Sequence, residues 1–299
     1  MAKGRSNRSG AASRARRMMV INQQTADRKK PSPSSAVDSL AKAIIADGRS
    51  GNDDGSSSAA VSETEQPAVR VYKSSQEDAP ALREIRRLLD GSKPLTWVFT
   101  GDNITHGGGH TQGARSYSEH FAERVRWELK RFLDVVVNTG VSGDRAKGLA
   151  KNLDWRVLRF RPDVVSVMLG LNDSGGGLPG RQEFRDHLAT IVDRLRNEGA
   201  IVLLNTPNRI NLLKARDRLD LPGYVQIVRD VAAEFELPLI DHWSHWEEVK
   251  STAKDVPGWL VDDGIHPDCE GHRELAKFLF AELGIFDARS RTCNDSTDR

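Results

Sequence analysis

Cysteine is nearly missing from this sequence, with Cys269 and Cys293 the only two. Two cysteines build no disulfide framework, and neither stands in a C-x-x-C pair of the kind that binds zinc or does redox work. A reducing compartment is compatible with this usage, with one optional bridge near the C-terminus left open. No apolar run approaches the length of a membrane span. There is no G-x-S-x-G nucleophile elbow and no G-x-x-x-x-G-K-[ST] phosphate loop. Aromatic residues are also missing from the start of the chain, where none precedes Tyr72.

That last absence sets the domain organisation. The early residues are rich in Ser, Ala, Gly, Arg and Asp. Such a segment cannot bury enough apolar surface to offset its ordering entropy, so residues 1–78 are expected to form a disordered basic tail. One stripe inside it, Val37, Leu40, Ala41, Ile44 and Ile45, shares a helical face, but a lone helix that short is marginal in water. Met1 to Lys30 carry nine basic residues and one acid, whereas beyond Asp78 there are 31 basic against 33 acidic residues. The basicity therefore belongs to the tail, and the body offers no nucleic-acid groove. The only early apolar cluster, Met18 to Ile21, is too short for a secretory h-region, so the expected location is cytoplasmic. An organelle transit role for the first 26 residues is the alternative.

From Ala79 the pattern becomes periodic. Leu82, Ile85 and Leu88-Leu89 mark a helix ending near Gly91, and a short strand follows from Leu95. Phe121, Val125, Leu129 and Phe132 share one face of a helix from about Ser116. Val135 to Val137 reads as a strand covered on both faces. Leu149, Leu153 and Val157 stripe a third helix, and Val164 to Leu169 make the third strand. Another helix carries Phe184, Leu188, Ile191, Val192 and Leu195, then Ile201 to Leu204 form the fourth strand. Tyr224 to Phe235 give a further helix, Leu237 to Ile240 the fifth strand, and Leu275 to Leu283 the last helix. Regular alternation of strand and helix predicts an α/β fold, a three-layer α/β/α sandwich around a parallel sheet of about five strands. The domain spans residues 79–288, with a flexible C-terminal tail at 289–299.

In such sheets ligands sit outside the carboxyl ends of the strands, so those ends deserve inspection. The first ends in Gly101-Asp102-Asn103, the second in Asn138-Thr-Gly-Val-Ser-Gly-Asp144, and the third in Gly170-Leu-Asn-Asp173. Before the last helix comes Asp263-Gly-Ile-His266. This ordered set resembles the SGNH (GDSL-type) ester hydrolases over roughly residues 95 to 285. Gly101 to Thr105 match the nucleophile block, Gly143 the oxyanion-hole glycine, Asn172 the oxyanion-hole asparagine, and Asp263 with His266 the Asp-x-x-His block. The resemblance implies a flavodoxin-like three-layer fold and hydrolysis of acyl esters, on carbohydrates or small alcohols. It also implies an oxyanion hole built from Asn103 and Gly143 N–H groups and the Asn172 amide, with no cofactor and no metal.

One position departs from the family: Asn103 stands where the nucleophilic serine is expected. A carboxamide nitrogen is delocalised into its carbonyl and has no proton that neutral imidazole can usefully remove. Losing a triad serine costs on the order of a million-fold in turnover, with roughly a thousand- to ten-thousand-fold over water remaining. Three outcomes stay open. The protein binds an ester or sugar without useful turnover; His266, held by Asp263, activates water directly; or a neighbouring hydroxyl, Thr105 or Ser142, is recruited. A chain with serine at 103 would, by this resemblance, be an ordinary serine esterase.

Other motifs read more simply. His106-Gly-Gly-Gly-His110 looks like a lipase oxyanion loop or a two-histidine metal site, but lacks the elbow for the first and a third ligand for the second. It is expected to be a pliable loop over the site, with His106 facing substrate. Gly175 to Gly180 formally satisfies G-x-G-x-x-G, but Pro179 and its distance from the strand make it a mobile loop. His242, His245, Trp97, Trp127 and Trp155 are expected to pack, Asp262 to be solvated, and Asp102 and Asp173 to stabilise turns.

Overall fold

The computed structural model describes residues 79–252 and 256–294, so the expectations for residues 1–78, the Val37–Ile45 stripe included, lie outside the described residues. Helix α1 (Pro80–Asp90) starts on a proline, whose missing N–H is no loss in a first turn. It buries Leu82, Ile85 and Leu89 and stops at Gly91. Strand β1 (Thr96–Gly101) follows, then a single helical turn α2 (Asn103–His106) and helix α3 (Tyr117–Glu123). After β2 (Val135–Asn138) come α4 (Ala146–Lys151) and α5 (Leu153–Arg156). β3 (Val164–Met168), α6 (Gly177–Asn197), β4 (Ile201–Asn205), α7 (Leu221–Glu234), β5 (Leu239–Ile240), α8 (His242–Thr252) and α9 (Cys269–Glu282) complete the order.

The five strands pair in the order β2-β1-β3-β4-β5, every pair parallel. β3 lies at the centre and is buried throughout, with Trp97 opposite Val164 and Gly101 opposite Met168 on one side. On its other side Val164 faces Ile201 and Met168 faces Asn205. The chain leaves β1 for one edge and returns to its other side at β3. The loops after β1 and β3 therefore diverge and leave a crevice between them, the place where open α/β sheets hold ligands. An aromatic knot anchors this half of the sheet. Trp97 and Phe99 both meet Phe121, with ring centroids 4.8 and 5.0 Å apart. Burying each such ring stabilises the fold by roughly 1.5–3 kcal/mol.

Several expectations need correction. Val135 is 51% exposed, because β2 is the edge strand rather than one covered on both faces. Trp127 and Trp155 are 66% and 69% exposed and Phe132 is exposed as well, whereas Trp97 is buried as expected. The helix carrying Phe132 ends early: α3 passes into a π-helical turn at Arg124–Glu128, which takes Trp127 and Phe132 off the buried face. The third helix is broken at Asn152 into α4 and α5. Gly175 to Gly180 is no mobile loop, since Gly176 closes a 3-10 turn and Gly177 opens α6. At the other end, packing continues past residue 288. Thr292 and Cys293 are buried, and Thr292 N donates to Glu128 Oε1 at 3.0 Å. No helix among the described residues is long and apolar enough to cross a membrane.

Candidate active site

The turn after β1 is shaped by close approach. A Cβ on Gly101 would lie 2.2 Å from the Met168 carbonyl oxygen of β3, so only glycine lets the two strand ends meet. Asp102 then caps α2, its Oδ1 accepting from Ile104 N at 3.1 Å. That cap makes Asn103 the first residue of the turn and aims its side chain out of the sheet. The loop after β2 comes in just as tightly, because a Cβ on Gly140 would stand 2.4 Å from His106 N. Arg156 ties the two loops together. Its guanidinium donates to the carbonyls of Gly101 (3.2 Å) and Thr139 (2.7 Å) and pairs with Asp144. Asp173, at the end of β3, accepts from Ala146 N at 2.9 Å. Asp102 and Asp173 are thus the turn-stabilising acceptors expected of them.

These loops bring the residues of the four sequence blocks into one hydrogen-bonded line. Asp263 Oδ1 accepts from the backbone N–H groups of Ile265 (2.7 Å) and His266 (3.0 Å), and its Oδ2 accepts from His266 Nδ1 at 2.6 Å. Burial pushes the Asp263 carboxyl up, but these hydrogen bonds outweigh it and hold the group below the usual carboxylate range. An ionised carboxylate only accepts, so the Nδ1 proton sits between the two side chains and Nε2 carries a lone pair. Nε2 takes a hydrogen bond from Asn103 Nδ2 at 2.8 Å. On the other side of the same carboxamide, Asn103 Oδ1 accepts from Gly143 N and from Asn172 Nδ2, each at 2.7 Å. Gly143 has φ +81°, a conformation that favours glycine and turns its N–H inward.

The Asp263 loop is itself held from β4. Asn211 N donates to the Gly264 carbonyl (2.7 Å) and Asn208 Nδ2 to that of Ile265 (3.2 Å). Asp262 is exposed, as expected of a solvated neighbour.

The two hydroxyl candidates from the sequence are placed differently. Thr105 is fully buried and its hydroxyl is bonded to Tyr117 OH at 3.0 Å, so it does not face His266. Ser142 is exposed on the loop leading to Gly143. His106 is exposed, with its ring against Gly108. His110 is the residue the sequence reading missed. Its ring stacks on His266 with centroids 3.5 Å apart and planes 3° from parallel. Burial, and then His266 itself, hold the His110 imidazole below its ordinary range, opposed by Asp263. The one signal for it was the glycine run that lets the loop fold back. Ligand atoms of His110, Asp263 and His266 lie within 4.8 Å of one another. Stacked rings hold their in-plane lone pairs in two parallel planes about a ring separation apart, however, so these donors do not point at one ion. His242 and His245 are buried, His245 Nε2 lying 2.8 Å from Glu274 Oε1, which is the packing role expected.

The model of the GDSL-like Lipase/Acylhydrolase family matches residues 99–274, which include every residue of this line. The chain belongs to the GDSL-like lipase/acylhydrolase family. Among relatives of this GDSL-like protein, an acetylxylan esterase from Geobacillus stearothermophilus is 28% identical over 212 residues, 65% of this chain and 96% of the relative. An arylesterase from Vibrio mimicus is 27% identical over 152 residues, 50% of this chain and 69% of the relative. A solved variant of the Geobacillus acetyl xylan esterase superposes with a TM-score of 0.55 at 25% identity, covering 67% of this chain and all (100%) of the other. An alpha/beta hydrolase enzyme from the metagenome of Lake Arreo gives a TM-score of 0.56 at 22% identity over 66% of this chain and 99% of its own, which bears on the fold alone.

Proposed function

We propose that this GDSL-like protein is an ester hydrolase for O-acyl groups carried by carbohydrates or small alcohols, and that Asn103 attenuates its turnover. One observation carries the reading: the unbroken line Asp263–His266–Asn103, ending on the Gly143 and Asn172 donors. Each member suits one task in acyl transfer. Asp263 holds the imidazole and steadies the charge it acquires. His266 Nε2 is the base. The Gly143 N–H and the Asn172 amide converge on one oxygen, the position that a tetrahedral oxyanion would take. The names of the acetylxylan esterase and arylesterase relatives support an acyl ester as substrate.

The carboxamide of Asn103 occupies the place of both nucleophile and substrate carbonyl. Its Oδ1 takes the two donors and its Nδ2 takes the base, so an ester must displace three hydrogen bonds before any chemistry begins. Once it has done so, His266 can deprotonate a water, which attacks the acyl carbon. The alcohol then leaves with the proton His266 returns to it. That route lacks the acyl-enzyme step and keeps only the part of the acceleration that comes from the oxyanion hole and binding, roughly a thousand- to ten-thousand-fold over water. The same self-occupied geometry favours a second reading, a protein that binds acylated sugars without turning them over.

Hydrolysis of p-nitrophenyl acetate and of acetylated xylooligosaccharides separates the two. Asn103→Ser is expected to raise kcat by at least a thousand-fold, and adding His266→Ala should abolish the gain. Slow activity of the chain as it stands, lost in His266→Ala, supports the water route. Asn103→Ser remaining inert on every ester while sugars still bind would leave the binding reading in place.

A further inference from the structure

At the rim of the same crevice two arginines converge on an exposed glycine. Gly175 lies in the 3-10 turn Asp173–Gly176, just beyond Asn172 in the chain. A Cβ built on it would stand 3.0 Å from Arg218 Nη1 and 3.8 Å from Arg145 Nη2. The two side chains arrive from different loops. Arg145 follows Gly143 and Asp144 after β2, and Arg218 belongs to the connection between β4 and α7. Their ends therefore meet over the turn after β3, a neighbour of both groups that hold the Asn103 oxygen.

Two like charges placed this close repel unless an anion sits between them. The local carboxylates do little to supply one. Asp144 is engaged by Arg156, and Asp220 by Arg181. Asp173 is buried, with Oδ1 taken by Ala146 N. Asp217 pairs with Arg218 at 2.6 Å, but its side chain is 71% exposed, so that ion pair is weak. The Arg145 side chain makes no hydrogen bond or ion pair among the described residues, and acts on the buried Asp173 only through its charge. Arg218 Nε is buried and likewise makes no hydrogen bond. Helix α6 begins beside this turn with no acidic residue in its first turn, so its positive end adds to the same field.

We propose that Arg145 and Arg218 form a subsite for an anionic substituent, a carboxylate or a phosphate, on the alcohol part of the ester. The assignment of an ester as ligand rests on the function proposed above. A guanidinium presents parallel N–H donors that match the two oxygens of such a group, and two guanidiniums from separate loops hold it from both sides. The substrate class then narrows from acylated sugars in general to acylated acidic sugars, such as those bearing a uronate or a phosphate. Without a Cβ, Gly175 leaves the room that this group needs.

Calorimetric titration of the chain as it stands, in which turnover is suppressed, tests the subsite without relying on catalysis. Three probes are compared: a neutral acetylated xylooligosaccharide, one of the same length bearing glucuronate, and an acetylated hexose phosphate. The anionic probes are expected to bind about 10- to 100-fold tighter than the neutral one, with the preference shrinking as salt is added. Arg145→Gln and Arg218→Gln should each remove most of that preference. In an Asn103→Ser background, neither substitution should change kcat/KM for p-nitrophenyl acetate by more than about two-fold, since that ester carries no anion for the arginines to hold. A preference shown by only one of the two anionic probes identifies which oxyanion the site takes. Equal binding of neutral and anionic probes, or equal weakening of both by the arginine variants, overturns the subsite. Should Asn103→Ser hydrolyse neutral esters with no anion preference, the subsite fails and the hydrolase reading stands. Should the anionic sugars bind through the arginines while Asn103→Ser hydrolyses nothing, the hydrolase reading fails and the subsite stands.

Discussion

Asn103 is polar and small enough to stand where an alcohol is expected, and its carboxamide satisfies His266 Nε2, Gly143 N and Asn172 Nδ2 at once. The five residues of this line were legible in the sequence, because turn residues at successive strand ends converge by topology. The partner on the face of His266 was legible only in part: the glycine run let the loop fold over the site, but nothing in it marked His110 as the imidazole that stacks there. Asp102, next to Asn103, supplies a test at this scale. Its Oδ2 is buried without a partner, and burial, aided by Asp173 and Asp144 and opposed by the Ile104 N–H, pushes the carboxyl up to about 7. The folded state thus holds this proton more tightly than the unfolded chain does. The resulting stabilisation is complete below the ordinary carboxylate range and is lost as pH rises towards 7. Asp102→Asn keeps an oxygen for Ile104 N and removes the titration. Its Tm relative to the parent is expected to be a few degrees more favourable at pH 8 than at pH 4.5. A difference that stays constant with pH, followed by circular dichroism, would contradict this account.

At the scale of elements, the strand ends matter more than the strands. Gly140 brings the loop after β2 against the backbone of α2, and three residues later the Gly143 N–H reaches Asn103. Gly140→Ala must push the two loops apart, since the atoms in the way are backbone. Overpacking of this kind costs about 1–3 kcal/mol. In an Asn103→Ser background we expect kcat/KM for p-nitrophenyl acetate to fall by about a hundred-fold or more, as when an oxyanion donor is lost, and Tm to fall by several degrees. An unchanged rate would mean that Gly143 is placed by something other than this contact. The errors of the sequence reading also belong to this scale. Val135 to Val137 have the composition of a covered strand, but whether a strand is central or at the edge depends on which partners pair with it. Likewise, the helical spacing of Phe121 to Phe132 is local, and it does not show the π turn at Arg124–Glu128, past which Phe132 is exposed.

Across the whole molecule, the C-terminal segment acts as a clasp. Arg124 donates to the Ile285 carbonyl (2.9 and 2.6 Å) and to Glu128 (2.9 Å), and Glu128 in turn receives Thr292 N at 3.0 Å. Burial raises the Glu128 carboxyl, but the hydrogen bonds from Thr292 and Arg124 prevail and hold it below its ordinary range. A depressed carboxyl contributes stability above its unfolded pKa and loses it as pH falls. Ending the chain at residue 288 is therefore expected to lower Tm by several degrees at pH 7 and by clearly less near pH 4. Thermal melts at the two pH values check this, and an equal loss at both would show that apolar packing of Cys293, rather than Glu128, makes the clasp. The sequence by itself determined the three-layer fold, the strand count and the order of the four blocks, because periodicity and turn chemistry are local and parallel topology leaves few ways to connect them. Only the tertiary structure decided which strand lies at the edge, that His110 covers His266, that Arg145 and Arg218 meet over Gly175, and that the Asn103 amide bridges His266 to Gly143 and Asn172. Those are contacts between residues far apart in the chain, and their geometry is fixed by packing rather than by any local pattern.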